Sequence, residues 1–463
     1  MDWIADYLEE VESYPVKSQV KPREVYEQLG DSIPTEGEPM TEILNDFVTQ
    51  ILPGITHWQH PSFFAYFPAN SSYPSLLAEM LTAAMGAQCM SWETSPAAAE
   101  LEEKVMQWLM KAMGIPDNWD GVIQSTASDA TLCALLSARE RHSQFLVNEK
   151  GLQQAPVYRV YGSVELHSSI EKDVKIAGLG RQNYVKIAAD EQFSMCPEAL
   201  AKAIESDLGA GFQPLCVVSA LGTTSSTGVD PLQAIAKICQ RHQLWLHVDA
   251  AYAGSALILP EKQHHIQGIE LADSFVFNPH KWLFTNFDCS AYFVKDPASL
   301  VQTFEITPEY LKTGQDRQVN NYRDWGIPLG RRFRALKLWF VLRSYGLDQL
   351  QAKLRAHIQW AQELKEWVKN DSDFELMAPV EFGLVCFRYR PAGLDDELII
   401  EQINARLLNQ INDEGKLYLT QTRLKGQYVI RFSIGQTHTE QHHVQAGWQE
   451  IKRVAKEVAS NFS

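Results

Sequence analysis

FVFNPHKWLF, residues 275–284, is the stretch that decides the fold. Its first half is apolar without polar alternation, the pattern of a strand whose sheet is covered on both faces. The strand is expected over residues 273–278 and stops at Pro279, which has no N–H to give a ladder. It delivers His280, Lys281 and Trp282 at its carboxyl end. Most lysines are solvated surface charges. An amine held against apolar walls behaves differently: desolvation disfavours its charged form, and the neutral amine is a nucleophile that forms an imine with a carbonyl compound. The flanking chain has to decide between the two.

Outward from this stretch, apolar runs and helical patterns alternate. Strands are expected at 157–161, 215–221, 244–249 and 290–294, with helices at 130–141, 168–177, 197–205 and 231–242. Such alternation predicts a mainly parallel sheet with helices on both faces, and ligands bind outside the carboxyl ends of such strands. The polar residues falling there are Thr223, Thr224, His247, Asp249, Asn278, His280 and Lys281. His247 and Asp249 are two apart on one strand and face the same side. A carboxylate between LWLHV and AAYAG needs a cationic partner or a capping role. It could pair with an arginine, or hold a proton on a pyridine nitrogen. QSTASDAT, residues 124–131, follows a strand end and opens a helix. Its small hydroxyl residues and backbone N–H groups suit a phosphate at the positive end of a helix dipole, and equally suit plain N-capping by Ser128 or Asp129. A lysine imine, a carboxylate for a ring nitrogen and a helix-end phosphate site in one sheet register together describe pyridoxal phosphate binding.

The rest of the chain frames this centre. Residues 1–53 carry amphipathic helical patterns at 1–11 and 40–51, whose apolar faces have no partner in their own segment and would dock on a second subunit. HWQHPSFFAYFPANSSYP, residues 57–74, is too aromatic for a solvated loop; it is either a core strand with a turn or one wall of an aromatic pocket. Residues 304–330, with TGQDRQVNN at 313–321, read as a mobile polar loop, and the region from about 345 onward as a smaller α+β unit. The expected division is 1–85 as a helical segment, 86–345 as the large α/β domain and 346–463 as the small C-terminal domain.

The 463 residues carry a net charge of −16 with no basic run, which disfavours a nucleic-acid partner. The acidic N-terminus does not read as a secretory signal, and no apolar stretch is long enough for a membrane span. Seven scattered cysteines without CxxC spacing suit reduced thiols in the cytoplasm. The thirteen histidines show no metal-ligand spacing, so no metal is expected. A nucleotide-binding α/β protein would need a Gly-rich phosphate loop, and the sequence has none.

LHVDAAYAGSA and DSFVFNPHKWLFTNFDCSA, together with THWQHPSFFAYFP, SWETSPAAAELE, LHSSIEK, LGTTSSTGVD, PEYLKTGQD, YRDWGIPLGRRFRALKLWFVLR and GLVCFR, closely resemble the pyridoxal-phosphate group II decarboxylases, in their aromatic-L-amino-acid decarboxylase branch. The resemblance covers nearly the whole chain. It implies an aspartate-aminotransferase-like (fold type I) homodimer with active sites at the subunit interface. It also implies decarboxylation of an aromatic amino acid to its arylalkylamine and CO2 through a lysine Schiff base and a quinonoid intermediate. By the same resemblance Lys281 is the Schiff-base lysine, Asp249 the pyridinium partner, and His167 the residue stacked on the cofactor ring. Thr126, Ala127, Thr224, Ala251, Asn278 and His280 would make the remaining phosphate and ring contacts. Tyr310, beside a lid loop, would protonate the substrate carbon. Tyr66, Phe67, Ala69, Gln88, Met90 and Gly330 would line the substrate pocket. Ala69 stands where catechol-using members have threonine, Gln88 where they have isoleucine and Met90 where they have phenylalanine. Gly330 matches the aromatic branch, whereas the related histidine decarboxylases carry serine there. Aldehyde synthases on this scaffold often carry phenylalanine at the Tyr310 position, so the tyrosine favours simple decarboxylation.

Overall fold

The computed structural model describes residues 2–306 and 318–460. They form two compact units, one of residues 70–356 and one combining residues 1–69 with 357–463.

The larger unit is built on seven strands: β1 (Asp120–Gln124), β2 (Tyr158–Ser163), β3 (Tyr184–Ile187), β4 (Gln213–Ala220), β5 (Trp245–Asp249), β6 (Ser274–Phe277) and β7 (Ser290–Val294). Their spatial order is β1-β7-β6-β5-β4-β2-β3. From β6 through β5, β4 and β2 to β3 every pair is parallel, while β7 runs antiparallel to both β6 and β1. The exception has a local cause. Parallel neighbours need a long crossover, normally a helix such as Leu232–His242 between β4 and β5. The chain between β6 and β7 contains only the single turn Pro279–Trp282, so it doubles back. Ala220 pairs with Asp249, and Asp249 with Val276, so β4, β5 and β6 end level with one another. The interiors of β1 and of β4 to β7 are buried, with Val218, Val276, Tyr292 and the Ala127–Ser143 helix in one core, while the edge strand β3 is only partly covered. The mainly parallel mixed sheet expected from the alternation is present.

The other unit holds a four-stranded antiparallel sheet of β8 (Phe374–Leu376), β9 (Leu384–Tyr389), β10 (Thr420–Leu424) and β11 (Gln427–Ser433), in the order β10-β11-β9-β8. The helices Glu397–Glu414 and Gln441–Ser460 contribute to its core. The expected separate N-terminal segment is not a unit of its own. Val16 N–H donates to Gly415 O at 2.9 Å, Phe64 N–H to Tyr418 O at 3.0 Å, and the Phe64 ring stacks on Phe432 at 4.1 Å. Backbone pairing and shared core therefore join residues 1–69 to the C-terminal sheet, and the boundaries fall at 69/70 and 356/357 rather than 85/86 and 345/346. The aromatic stretch resolves both of its readings. Phe63, Phe64 and Ala65 are core residues attached by an isolated bridge rather than a strand, whereas Tyr66 stays 48% exposed.

Candidate active site

At the carboxyl edge of the large sheet, β6 gives way to a turn clamped on several sides. Asn278 N–H donates to Ala251 O at 3.0 Å, and Ser290 Oγ donates to Asn278 Oδ1 at 2.6 Å. Lys281 N–H returns to Asn278 O at 2.9 Å, closing the turn. Trp282, Leu283 and Phe284 are fully buried, with Trp282 stacked on Tyr252 at 4.7 Å. Lys281 itself is half-buried. Asn70 locks the turn from outside: its N–H donates to His280 O at 2.9 Å and its side-chain amide to Lys281 O. Ser72 Oγ adds a bond to Phe284 O at 2.7 Å. Cys289 N–H donates to His280 Nδ1 at 2.9 Å, which leaves the ring proton on Nε2. Desolvation first, and then the Lys281 charge, push the His280 pKa down to about 3, so the ring is neutral.

Asp249 ends β5 half-buried. Its Oδ1 accepts from Ala251 N–H at 3.0 Å, while Oδ2 has no hydrogen-bond partner among the described residues. His167 follows β2 and is exposed; Ser169 N–H donates to its Nδ1 at 3.2 Å, which places the proton of the neutral ring on Nε2. Its pKa is lowered, chiefly by desolvation, with the Asp249 charge raising it and the Lys281 charge lowering it. Those three groups thus sit within electrostatic reach of one another. Beyond β1, Thr126 is the N-cap of the Ala127–Ser143 helix, in a reciprocal capping box with Asp129. The Thr126 hydroxyl and N–H are spent on the Asp129 carboxylate, at 3.1 and 3.2 Å. The helix N–H groups of Ala127 and Ser128 lack intrahelical acceptors by geometry, so they, rather than the threonine side chain, are the donors offered to an anion. Thr224 is half-buried in the loop after β4, which Gly222 turns with φ +88°; a Cβ there would lie 2.6 Å from Ala253 Cβ.

The remaining expected positions divide between the units. Gln88, Met90 and Gly330 belong with the sheet. Gln88 Oε1 accepts from Arg331 N–H at 2.7 Å, a Cβ on Gly330 would lie 3.2 Å from Gln88 Nε2, and Met90 O accepts from Arg323 N–H at 2.8 Å. Tyr66, Phe67 and Ala69 belong to the other unit. Tyr66 has φ +51°, stacks on Trp58 at 5.7 Å and sets its hydroxyl 3.3 Å from that of Tyr418. Phe67 lies under the Arg431 guanidinium at 5.1 Å, and Ala69 O accepts from Gln59 Nε2 at 2.8 Å. Tyr310 lies outside the described residues. His247, grouped with the edge residues in the sequence, is a core residue: it is fully buried, 3.1 Å from Thr131 Oγ1 and 2.9 Å from Ser274 Oγ. The sequence reading missed Asn70, whose only signal is an amide beside an aromatic run, and Asp173, a carboxylate in the helix after His167.

Residues 22–390 match the family model described as the pyridoxal-dependent decarboxylase conserved domain. The chain belongs to that family. A tryptophan decarboxylase 2 of Oryza sativa is 43% identical, over 99% of this chain and 93% of that protein. A phenylacetaldehyde synthase of Arabidopsis thaliana is 44% identical over 98% and 94%. The crystal structure of Oryza sativa TDC with PLP and tryptamine superposes with a TM-score of 0.95 at 36% identity, covering 98% of this chain and 96% of that one. As a pyridoxal-dependent decarboxylase the chain is a carboxy-lyase whose cofactor is pyridoxal phosphate. Its own residues fit that group. Asp249 Oδ2 is an open acceptor for a ring N–H, Lys281 an amine on a rigid turn, and the Ala127 and Ser128 N–H groups with His280 Nε2–H are donors of the kind a phosphate needs.

Proposed function

We propose that this decarboxylase acts on an aromatic L-amino acid and releases the arylalkylamine and CO2. The observation that carries the reading is the gathering of Lys281, Asp249 and His167 at one sheet edge. Bound pyridoxal phosphate supplies an electron-withdrawing ring that accepts the electrons freed when the Cα–carboxylate bond breaks. Lys281 would hold the cofactor through its amine. Asp249 holds a proton on the ring nitrogen and stabilises its positive charge through the reaction. His167, neutral with Nε2–H outward, offers a flat ring for stacking without adding a competing cation. Tyr310 protonates the substrate carbon after CO2 leaves. Gln88, Met90 and Gly330, which belong with the sheet, line the part of the pocket that selects the side chain. With Ala69 lacking a hydroxyl, discrimination for polyhydroxylated rings is weak.

The working form is a homodimer. Tyr73, Leu77, Leu81 and Met85 repeat every four residues on one helix and are all about half exposed, an apolar stripe suited to a second copy. Met40, Ile43 and Leu44 leave a second such face in the N-terminal region. No helix among the described residues is long and apolar enough to cross a membrane. Seven free cysteines support a reducing, cytoplasmic setting.

Aldehyde formation is the competing reading, supported by the 44% identity to a phenylacetaldehyde synthase. Incubation with tyrosine, tryptophan, phenylalanine and dopa, assaying CO2, amine, aldehyde and peroxide together, separates the two. Amine without peroxide is the expected result; aldehyde and peroxide in its place would move the assignment.

A further inference from the structure

Asp173 is a buried carboxylate near the site that no step above uses. It lies on the Ser169–Ile176 helix, six residues after His167, and is 2% exposed. Its Oδ2 is buried without a hydrogen-bond partner among the described residues. The charged and titratable groups facing it are Asp129 and Cys133 from the Ala127–Ser143 helix, Asp249 from β5, and Lys172 on its own helix. A solvent-starved carboxyl with an unsatisfied oxygen is costly to keep in a core. A helix position facing the Ala127–Ser143 helix is otherwise apolar, as Ile170 and Val174 beside it are.

We propose that Asp173 is a positioning residue whose charge, within electrostatic reach of Asp249, sets how firmly the site holds protons on the cofactor; this rests on the functional reading above. Burial first, and then the Asp129 charge, raise the Asp173 pKa to about 7, with Asp249 adding to the rise and Lys172 opposing it. The group therefore changes charge near neutral pH. Ionised, it adds to the negative field of Asp249 and strengthens the hold on a cationic ring nitrogen. Protonated, it leaves Asp249 to act alone. A positive ring beside Asp249 in turn draws Asp173 toward its ionised form, so cofactor binding and loss of this proton favour each other.

The test is Asp173→Asn, with Asp173→Ser as a second variant in case the amide packs badly. In the holoenzyme, the pH midpoint of the visible cofactor absorption should move down by about half a pH unit or more, because a nearby negative charge has been removed. The cofactor-free protein supplies an independent readout. Between the ordinary carboxyl value and about 7, the folded chain holds a proton on Asp173 that the unfolded chain has lost, so wild-type stability declines as pH rises through that window. The Tm advantage of the variant should therefore grow by several degrees, on the order of 3–6 °C, from about pH 5 to about pH 7.5. An unmoved absorption midpoint with cofactor bound, or a Tm difference independent of pH, overturns the proposal and leaves the decarboxylase reading standing. Failure of the wild-type protein to develop a cofactor absorption band after addition of pyridoxal phosphate overturns both.

Discussion

His247 and Asp249 stand two residues apart on β5 and face the same side of the sheet, yet they belong to two different regions. In the interior, His247 is bonded on both ring nitrogens, to Thr131 and Ser274, and Trp245 Nε1 donates to the same Ser274 hydroxyl at 2.9 Å. At the carboxyl edge, Asp249 satisfies one oxygen through Ala251 and leaves the other without a partner among the described residues. His280 repeats the edge pattern, with Nδ1 bonded to Cys289 N–H and Nε2 left as a donor. Strand direction explains the contrast. Within a ladder the neighbours are fixed, and an unpaired polar atom there would cost about 1–3 kcal/mol. Where three parallel strands end level, the backbone turns away and leaves half-satisfied side chains facing a shared space. Binding chemistry sits where internal satisfaction stops.

If that contrast is right, edge substitutions should remove chemistry and spare the fold. Lys281→Ala has the largest expected effect: CO2 release should fall by about four orders of magnitude or more, since no other amine stands on that turn. Borohydride should trap cofactor on the wild type and not on the variant, and retention of a borohydride-stable adduct by the variant would place the anchor elsewhere. Asp249→Asn keeps the shape and removes the charge, and should lower kcat by about 10² to 10³. A thermal midpoint close to wild type is expected in both, and a collapse in either would return these residues to the structural interior.

Much of this contrast is legible in the sequence alone. The strand–helix alternation around FVFNPHKWLF needs only hydrophobic period and length, and it located the sheet edge carrying Lys281 and Asp249. The role of His247 was not legible, because period two says which face a side chain takes and not whether the position along the strand is interior or terminal. Asn70 was missed because its contacts lie more than two hundred residues away in sequence, and no local pattern encodes them. The grouping of residues 1–69 with the C-terminal sheet was invisible for the same reason. It rests on backbone bonds such as Val16 to Gly415, which no side-chain pattern announces. The roles of Tyr310 and the pocket residues came from family resemblance alone.

Acid should expose the interior next. His247 and His280 are both held by desolvation at about 3, below the ordinary imidazole value of 6.5. From pH 6.5 downward the unfolded chain takes up protons that the folded chain refuses, so each ring lowers stability by about 1.4 kcal/mol per pH unit until pH approaches 3. At pH 5 that is about 2 kcal/mol each. Asp173 acts with the opposite sign in part of this window, so a variant difference is the cleaner measurement. His247→Gln keeps a hydrogen-bonding group without the titration, and its denaturation midpoint should fall less steeply between pH 6.5 and 5 than that of wild type. Parallel slopes would mean that His247 titrates normally and is not sealed in the core.

The smallest effects discriminate best between the two regions, because each variant removes a buried hydrogen-bonding group from one of them. Thr131→Val deletes the hydroxyl facing His247 Nε2 at nearly constant volume and leaves that nitrogen unpaired in a fully buried position. It should lower stability by about 1 kcal/mol or slightly more with kcat/KM unchanged. Asn70→Ala deletes the amide that donates to the Lys281 carbonyl, at a position 1% exposed. The loss in stability should be similar, but here the freed carbonyl belongs to the residue that anchors the cofactor. A turn loosened by even a fraction of an ångström misaligns Lys281, so kcat/KM should drop about tenfold. The two variants thus match in chemical denaturation and part in kinetics. Equal kinetic effects from both would show that the sheet transmits interior defects to the edge, and the separation of the two regions would fail.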